Sequence, residues 1–177
     1  MTIEVAEINK GKTTDKTANI RSWVIFLLVI GSIFFIFRYA ITIIIVSGNS
    51  MYPTLENKHV ILSYNVFYQI ERHDVAVIED RNGFDVVKRV IGLPNDTIEI
   101  QNGAVLVNGN VVEENYSAGT AMDMEPVILN DNEYFVIGDN REVGESLDSR
   151  SSEFGPVTKD QIKGEILLSL FPFKFLQ

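Results

Sequence analysis

A serine follows an apolar, β-branched run and a glycine-containing turn. Ser50 lies in the segment 47–55, which reads SGNSMYPTL, directly after the run Ile41–Val46. A hydroxyl held exposed on such a turn, with backbone N–H groups around it, meets the needs of a nucleophile with an oxyanion hole. The same residue types also form ordinary surface turns, so this segment alone leaves both interpretations open.

Two basic residues, Lys88 and Arg89, interrupt an otherwise apolar strand pattern. Valine or isoleucine occupies positions 86, 87, 90 and 91, so both faces of the predicted strand are apolar. Burial disfavours the ammonium form of a lysine and lowers its pKa. A neutral lysine can then act as a general base near pH 7. The alternative is that Lys88 lies on an edge strand and extends its ammonium group to water.

The third polar segment lies near the end of the chain. Residues 138–141 read GDNR and residues 146–150 read SLDSR, so small polar and oppositely charged side chains alternate. The alternative to a functional segment is a surface loop whose exposed ion pairs contribute little stability.

Histidine is the usual base for a serine nucleophile, but this chain has only His59 and His73. His59 closely follows Ser50 in a polar turn, and His73 adjoins Asp74. We expect both histidines to be exposed turn residues. A serine enzyme with this sequence would therefore need the serine–lysine variant of the catalytic triad.

The composition excludes several other chemistries. The chain has 177 residues, 46% of them hydrophobic and 22% charged, which is typical of a globular protein. It has no cysteine, so thiolate zinc sites, iron–sulfur clusters, disulfides and a cysteine nucleophile are excluded. Two histidines cannot form a multi-histidine metal site, and we expect no metal and no cofactor. The net charge of −9 disfavours a nucleic-acid partner.

An apolar segment near the N-terminus predicts one transmembrane helix, over residues 20–40. The uncharged run 23–37 is shorter than the ~20 residues that a spanning helix needs. Arg38 can extend to the interface, and Trp23 and Tyr39 suit the two headgroup layers. The alternatives are a buried core helix and a cleavable signal peptide. Lysines before the span predict a cytoplasmic tail, residues 1–19, and an extracytoplasmic domain, residues 41–177.

The remainder predicts a mainly β protein with antiparallel sheets and one or two short helices. Asn-Gly dipeptides at 102–103 and 108–109 predict a small meander. Thr158 and Gln161 fit a capping box for a short helix near 159–163. The polar stretch 113–132 is predicted to be an irregular, mobile loop. The predicted strands are 41–46, 60–67, 74–78, 84–93, 98–101, 104–107, 110–112, 133–137 and 165–171.

Together and in this order, these segments resemble the type I signal peptidase family, in the compact form found in Gram-positive bacteria. The resemblance rests on GNSMYPTL at 48–55, RHDVAV at 72–77, KRVIGLPND at 88–96, and the two segments at 138–141 and 146–150. His73 and Asn95 stand where glycine is usual. Four residues, 142–145, separate Arg141 from Ser146, where the family usually has two.

The resemblance implies roles for individual residues. Ser50 would be the acylated nucleophile and Lys88 the general base, and the Ser146 hydroxyl would orient that lysine. The oxyanion would be held by the Ser50 backbone N–H, and Gly48 stands where some members carry a second, hydroxyl donor. The other supporting residues would be Met51 and the ion pairs Asp148–Arg150 and Arg89–Asp139, and the substrate pocket would include Phe84 and Val86.

The implied activity is cleavage of N-terminal signal peptides from exported preproteins after a small-x-small motif. The partners would be those signal peptides and the lipid bilayer, and the protein would cross the plasma membrane once. Two other functions remain open on the same fold: a peptidase dedicated to a pilin or another surface protein, and a non-catalytic pilus-assembly factor. The tail at 170–176 would either enter the membrane interface or pack on the core.

Overall fold

The computed structural model describes residues 16–66 and 68–176, and its first element is a single long helix. Helix α1 covers Lys16–Ala40, so it begins before the predicted start at residue 20. Its segment Asn19–Ala40 is long and apolar enough to cross a membrane, and 0% of the most apolar window is buried. The helix is therefore not the core helix of this chain. Residues 1–15 of the predicted tail lie outside the described residues.

The residues from Tyr39 onward form a separate compact unit built of twelve strands. All strand pairs in its two sheets are antiparallel, which confirms the predicted fold class. The strands are β1 Ile41–Ile45, β2 Val60–Tyr64, β3 Val75–Glu79, β4 Asp85–Gly92, β5 Thr97–Gln101, β6 Ala104–Val107, β7 Asn110–Val111, β8 Met124–Ile128, β9 Glu133–Ile137, β10 Val157–Thr158, β11 Ile162–Phe171 and β12 Phe173–Phe175.

The larger sheet has the strand order β1-β2-β11-β3-β4-β9-β10, with β12 paired to β11. The smaller sheet has the order β7-β6-β5-β8. Strand β4 is interior, because β3 covers one edge along its length and β9 covers the other edge from Arg89 to Gly92. Lys88 therefore does not lie on an edge strand of the sheet.

Local signals in the sequence account for several elements. Asn102-Gly103 and Asn108-Gly109 all have positive φ, as a type I′ turn requires, and they join β5, β6 and β7 into the predicted meander. The predicted short helix is a 3₁₀ helix at Lys159–Gln161. Strand β2 ends at Tyr64 rather than at residue 67, which lies outside the described residues.

One strand contradicts a predicted loop, and two short strands lie outside the predicted set. Strand β8, Met124–Ile128, lies within the stretch 113–132 that was expected to be irregular, and it pairs with β5 at the edge of the smaller sheet. An edge strand can contain Glu125 and Pro126, which mask the β pattern in the sequence. Strands β10 and β12 are too short to leave a periodic pattern.

The apolar core forms three clusters around the larger sheet. One cluster joins the two sheets through Ile91, Ile98 and Phe135. A second contains Val46, Met51 and the end of the chain at Leu176, with Ile44 and Val87 packed against it. A third lies on the opposite face of β4 and includes Ala76, Val90, Val136 and the partly buried Val86.

Candidate active site

The turn after β1 holds Ser50 against the core. Gly48 has φ +97°, a left-handed conformation that glycine adopts without strain, and its N–H donates to the Asn57 side chain at 3.3 Å. Directly after Ser50, Met51 is 1% exposed and Leu55 0% exposed, so the turn is anchored in the second cluster. Ser50 itself stays half-buried, with its side chain turned toward β4.

Lys88 supplies the partner of Ser50. Its Nζ donates a hydrogen bond to the Ser50 Oγ at 3.0 Å, and the lysine is 3% exposed. Burial is the main cause that lowers the pKa of Lys88, to about 8 in balance with Asp148 and Asp139, which raise it, and Arg150, which lowers it. A substantial fraction of the lysine is therefore neutral near pH 8 and can accept the proton of the Ser50 hydroxyl.

Arg89 and Asp139 form a buried ion pair on the other face of β4. The Arg89 Nη2 lies 2.6 Å from the Asp139 Oδ2, with side-chain exposures of 3% and 0%. Thr54 donates its hydroxyl to Asp139 at 2.5 Å, and the Arg89 Nη1 donates to the His73 carbonyl at 2.7 Å. These bonds join the serine turn, β4 and the segment after β9 into one rigid unit.

Asp148 organises the opposite side of the lysine. It accepts hydrogen bonds from the Gly138 N–H at 3.0 Å, the Arg150 guanidinium at 2.8 Å and the Ser146 hydroxyl at 2.6 Å. Burial raises the pKa of the Asp148 carboxyl, but the hydrogen bonds and charge of Arg150, with the other donors, hold it below the usual range. Asp148 therefore stays ionised beside Lys88.

The Ser146 hydroxyl bonds to Asp148, and the described residues include no hydrogen bond between Ser146 and Lys88. Ser146 nevertheless lies close to the nucleophile. A Cβ on Gly138 would overlap both the Ser146 Oγ and the Ser50 carbonyl oxygen, so glycine permits this approach. The role of Ser146 in orienting Lys88 stays a prediction.

The described residues give the Ser50 backbone N–H no hydrogen-bond acceptor, whereas the Gly48 N–H is engaged by Asn57. The Ser50 carbonyl accepts from the Asn140 N–H at 3.0 Å, and the Asn49 carbonyl accepts from the Asn140 side chain at 3.2 Å. Asn140 thus fixes the two peptide groups that flank the Ser50 Cα, including the one that carries the Ser50 N–H.

A groove lies between the free edges of β1 and β4. The Val90 N–H donates to the Asp74 carbonyl, and the Val90 carbonyl accepts from the His73 N–H. Because backbone groups alternate between the two edges of a strand, those of Asp85 and Val87 point to the edge of β4 that faces away from β3. Strand β9 begins to pair only at Arg89. A cavity of about 120 Å³ in this region is lined by Thr42 and Ile44 of β1 together with Ser63, Asn65, Val77, Asp85 and Lys163.

The two residues predicted to line the substrate pocket, Phe84 and Val86, lie in different surroundings. Phe84 is 68% exposed just before β4. Val86 packs into the third cluster, on the face of β4 away from Met51. The neighbouring Val87 packs with Ile44 against the cluster that contains Met51. Because side chains alternate along a strand, a shift of one residue exchanges the two faces.

Comparison with known proteins decides the family. Residues 19–171 match the family model described as signal peptidase, peptidase S26. The chain belongs to this family. Signal peptidase I S of Bacillus subtilis (strain 168) is 41% identical over 146 residues, covering 73% of this chain and 76% of that protein. Signal peptidase IB of Staphylococcus aureus (strain COL) is 32% identical over 177 residues, covering 87% and 91%.

A crystal structure of a signal peptidase I from Enterococcus faecalis V583 is 29% identical, with a TM-score of 0.47, and the match covers 55% of this chain and 97% of that one. Members of the signal peptidase family of type S26 are serine proteases, and the chain is an enzyme of this class. Among the described residues, no group of three or more His, Cys, Asp or Glu could hold a metal ion.

Sequence reasoning missed three residues that shape this signal-peptidase site. Thr54 bonds to Asp139, Gly138 admits Ser146 beside Ser50, and Val87 packs against the cluster that contains Met51. Thr54 and Gly138 lie inside segments that the sequence singled out, but their roles depend on contacts between distant strands. His73 and Asn95 have φ of 79° and 69°, which explains why glycine suits these positions.

Proposed function

We propose that this protein is a membrane-bound signal peptidase that removes N-terminal signal peptides from exported preproteins, with Ser50 as nucleophile and Lys88 as general base. The observation that carries the proposal is the 3.0 Å hydrogen bond between the Ser50 Oγ and the buried Lys88 Nζ. A purely structural lysine gains nothing from burial beside a lone hydroxyl, because desolvation of its ammonium group costs free energy.

The chemistry follows from this contact. Neutral Lys88 accepts the hydroxyl proton while the Ser50 Oγ bonds to the scissile carbonyl carbon, and the carbonyl oxygen becomes an oxyanion that faces the Ser50 N–H. The lysine then gives this proton to the leaving amine as the C–N bond breaks. A water molecule, deprotonated by Lys88, then attacks the carbonyl carbon of the resulting ester. The bond from this carbon to the Ser50 Oγ breaks, Lys88 returns the proton to the Ser50 Oγ, and the signal peptide is released.

The groove suits an extended peptide. The unpaired backbone groups of Asp85 and Val87 can hydrogen-bond to an added strand, as in other cases of β-augmentation. Such a strand ends beside Ser50, and its alternate side chains meet the apolar surface around Ile44 and Val87. The cavity of about 120 Å³ at this groove has the size of a small side chain rather than a large one, which supports cleavage after a small-x-small motif.

The helix supports attachment to a membrane. Helix α1 is apolar all round and its large side chains are exposed, for example Leu28 at 65% and Phe34 at 70%. Such a surface is stable in lipid and not in water. Lysines before the span favour a cytoplasmic N-terminus and an extracytoplasmic catalytic unit. Exposed Phe171, Phe173 and Phe175 also suit the interface, while Leu176 is buried.

The test uses the full chain in detergent with a precursor that carries a small-x-small site. Wild type is compared with Ser50→Ala and Lys88→Ala, and Lys159→Ala serves as an exposed-lysine control. We expect cleavage after the small residue by wild type and the control only. Cleavage by Lys88→Ala would contradict the mechanism. Failure of folded wild type on several precursors would favour a dedicated peptidase or an assembly factor.

A further inference from the structure

A second cavity, of about 270 Å³, is lined in part by Asp148 and Ser146 and shares no lining residue with the cavity at the β1–β4 groove. Ser146, Asp148 and Arg150 form its inner wall. The loop 142–144 and the residues Met122, Asp123 and Met124, which lead into β8, form its outer wall. No step of the proposed mechanism uses this outer wall.

The cavity adjoins the point where cleavage would occur. The Ser146 hydroxyl bonds to Asp148, and a Cβ on Gly138 would overlap both Ser146 and the carbonyl of Ser50. The free edge of β4 ends where β9 pairs with Arg89. A peptide that follows this edge must therefore leave the sheet just beyond the scissile bond, beside Gly138 and the cavity.

The charges that line the cavity do not balance. The two arginines in its wall are already neutralised, because Arg150 pairs with Asp148 and Arg141 forms two 2.7 Å hydrogen bonds to Glu114. The ion pairs of the described residues include neither Asp123 nor Glu142. Asp123 accepts one backbone hydrogen bond, from the Gly103 N–H at 3.1 Å, so the outer wall carries two carboxylates that form no ion pair within the described residues.

Apolar surface lies between these carboxylates. Met122 is 66% exposed and Val143 is 72% exposed. The Glu142 side chain lies against Gly119, whose missing Cβ leaves it space. A wall that combines thioether or aliphatic surface with carboxylates suits a lysine or arginine, whose methylene stem packs on apolar groups while its charge meets the acids.

We propose that this cavity is a subsite for the polypeptide on the leaving side of the scissile bond, and that it favours a basic side chain within the first three residues after the cut. This inference rests on the proposed peptidase function and adds a substrate preference to it. Glu142 and Asp123 are the specificity-determining residues.

The test uses the full chain and synthetic peptides with one small-x-small site. Lys, Ala or Glu is placed at each of the first three positions after the cleaved bond, and kcat/KM is measured for each peptide at low salt. We expect wild type to favour Lys over Glu by about three- to fivefold at one of these positions, as for a partly exposed ion pair. The preference should shrink in 0.5 M salt, because salt screens exposed charges.

The isosteric double variant Glu142→Gln/Asp123→Asn should reduce this preference to less than about twofold. Asp160→Asn is the matched control, because Asp160 is exposed on the 3₁₀ helix and does not line the cavity, so it should keep the wild-type preference. Equal rates for Lys and Glu peptides in wild type, or an unchanged preference in the double variant, would overturn the subsite.

The experiment distinguishes a failure of the proposed peptidase function from a failure of the subsite. If wild type cleaves no peptide, including those with Ala, the proposed function fails. Binding of the same peptides to Ser50→Ala, measured by fluorescence anisotropy, then decides the subsite on its own. A Lys preference that Glu142→Gln abolishes supports it, and equal binding of the Lys and Glu peptides refutes it.

Discussion

The Lys88 Nζ and the Ser50 Oγ meet at 3.0 Å although the two residues are 38 positions apart in the chain. The turn after β1 is anchored in the core by Met51, and Lys88 lies on β4, an interior strand of the larger sheet. The contact supports catalysis only when Lys88 is deprotonated, because only a neutral lysine can accept the proton of Ser50.

The first prediction concerns the pH dependence of cleavage. Burial lowers the pKa of Lys88 to about 8, so the neutral fraction rises tenfold per pH unit below that value and levels off above it. We expect log kcat/KM for a neutral peptide to rise with a slope near 1 from pH 6 to about 8 and then to flatten. The rates are measured in detergent at constant ionic strength, and a profile that is flat from pH 6 to 9 would contradict a lysine base.

The second prediction concerns stability. The folded pKa of Lys88, about 8, lies below the ordinary value of 10.5, so the unfolded state binds more protons between these two pH values. Stability therefore rises with pH through this window, and below pH 8 the buried ammonium destabilises the fold by about 3 kcal/mol. Lys88→Met removes this cost, and it should be inactive yet more stable than wild type at pH 7.

Urea unfolding of wild type and Lys88→Met in detergent, at pH 7 and pH 10, checks this prediction. The difference between the two proteins should narrow at the higher pH. For Lys159→Met, which replaces an exposed lysine, the stability relative to wild type should be the same at both pH values. A variant that is less stable than wild type at pH 7 would indicate that Lys88 is charged and well paired.

Local signals made much of the fold predictable. The Asn-Gly turns fix the β5–β6–β7 meander because their positive φ values are set by two adjacent residues. Strand β8 was missed because its edge position tolerates Glu125 and Pro126. The insertion of β11 between β2 and β3 brings together residues about a hundred positions apart, and no local pattern specifies it.

For the site, the sequence indicated the residue types better than their contacts. The two apolar faces around Lys88 and Arg89 correctly predicted burial, because alternation follows directly from strand geometry. The bond from Ser146 to Asp148 and the packing of Val86 and Val87 into different clusters depend on side-chain direction across strands. Sequence spacing alone does not determine either.

The third prediction concerns Gly138. A Cβ at this position would overlap the Ser146 Oγ and the Ser50 carbonyl oxygen, and the neighbouring backbone cannot yield without moving the nucleophile. Gly138→Ala should lower kcat by at least about tenfold and cost roughly 1–3 kcal/mol of stability, as overpacking does. Activity assays and thermal unfolding measure the two effects.

Gly109→Ala is the control for this experiment. Gly109 has φ +78° but no atom within 4 Å of the added Cβ, so this variant costs only backbone strain and should retain activity. Equal activity losses in the two variants would show that steric overlap at Gly138 is not the cause.

The fourth prediction concerns the buried pair Arg89–Asp139. Because both side chains are almost fully buried, Arg89→Met leaves an uncompensated carboxylate and should cost about 3–5 kcal/mol of unfolding free energy. The double variant Arg89→Met/Asp139→Asn should recover part of this loss, since the stranded charge is gone.

Lys163→Met is the control. Its ion pairs with Glu79 and Asp85 are solvent-exposed, and their loss should cost less than about 1 kcal/mol of unfolding free energy. Urea unfolding of wild type, these variants and the single variant Asp139→Asn measures the coupling. Additive losses at Arg89 and Asp139 would show that the two charges do not depend on each other.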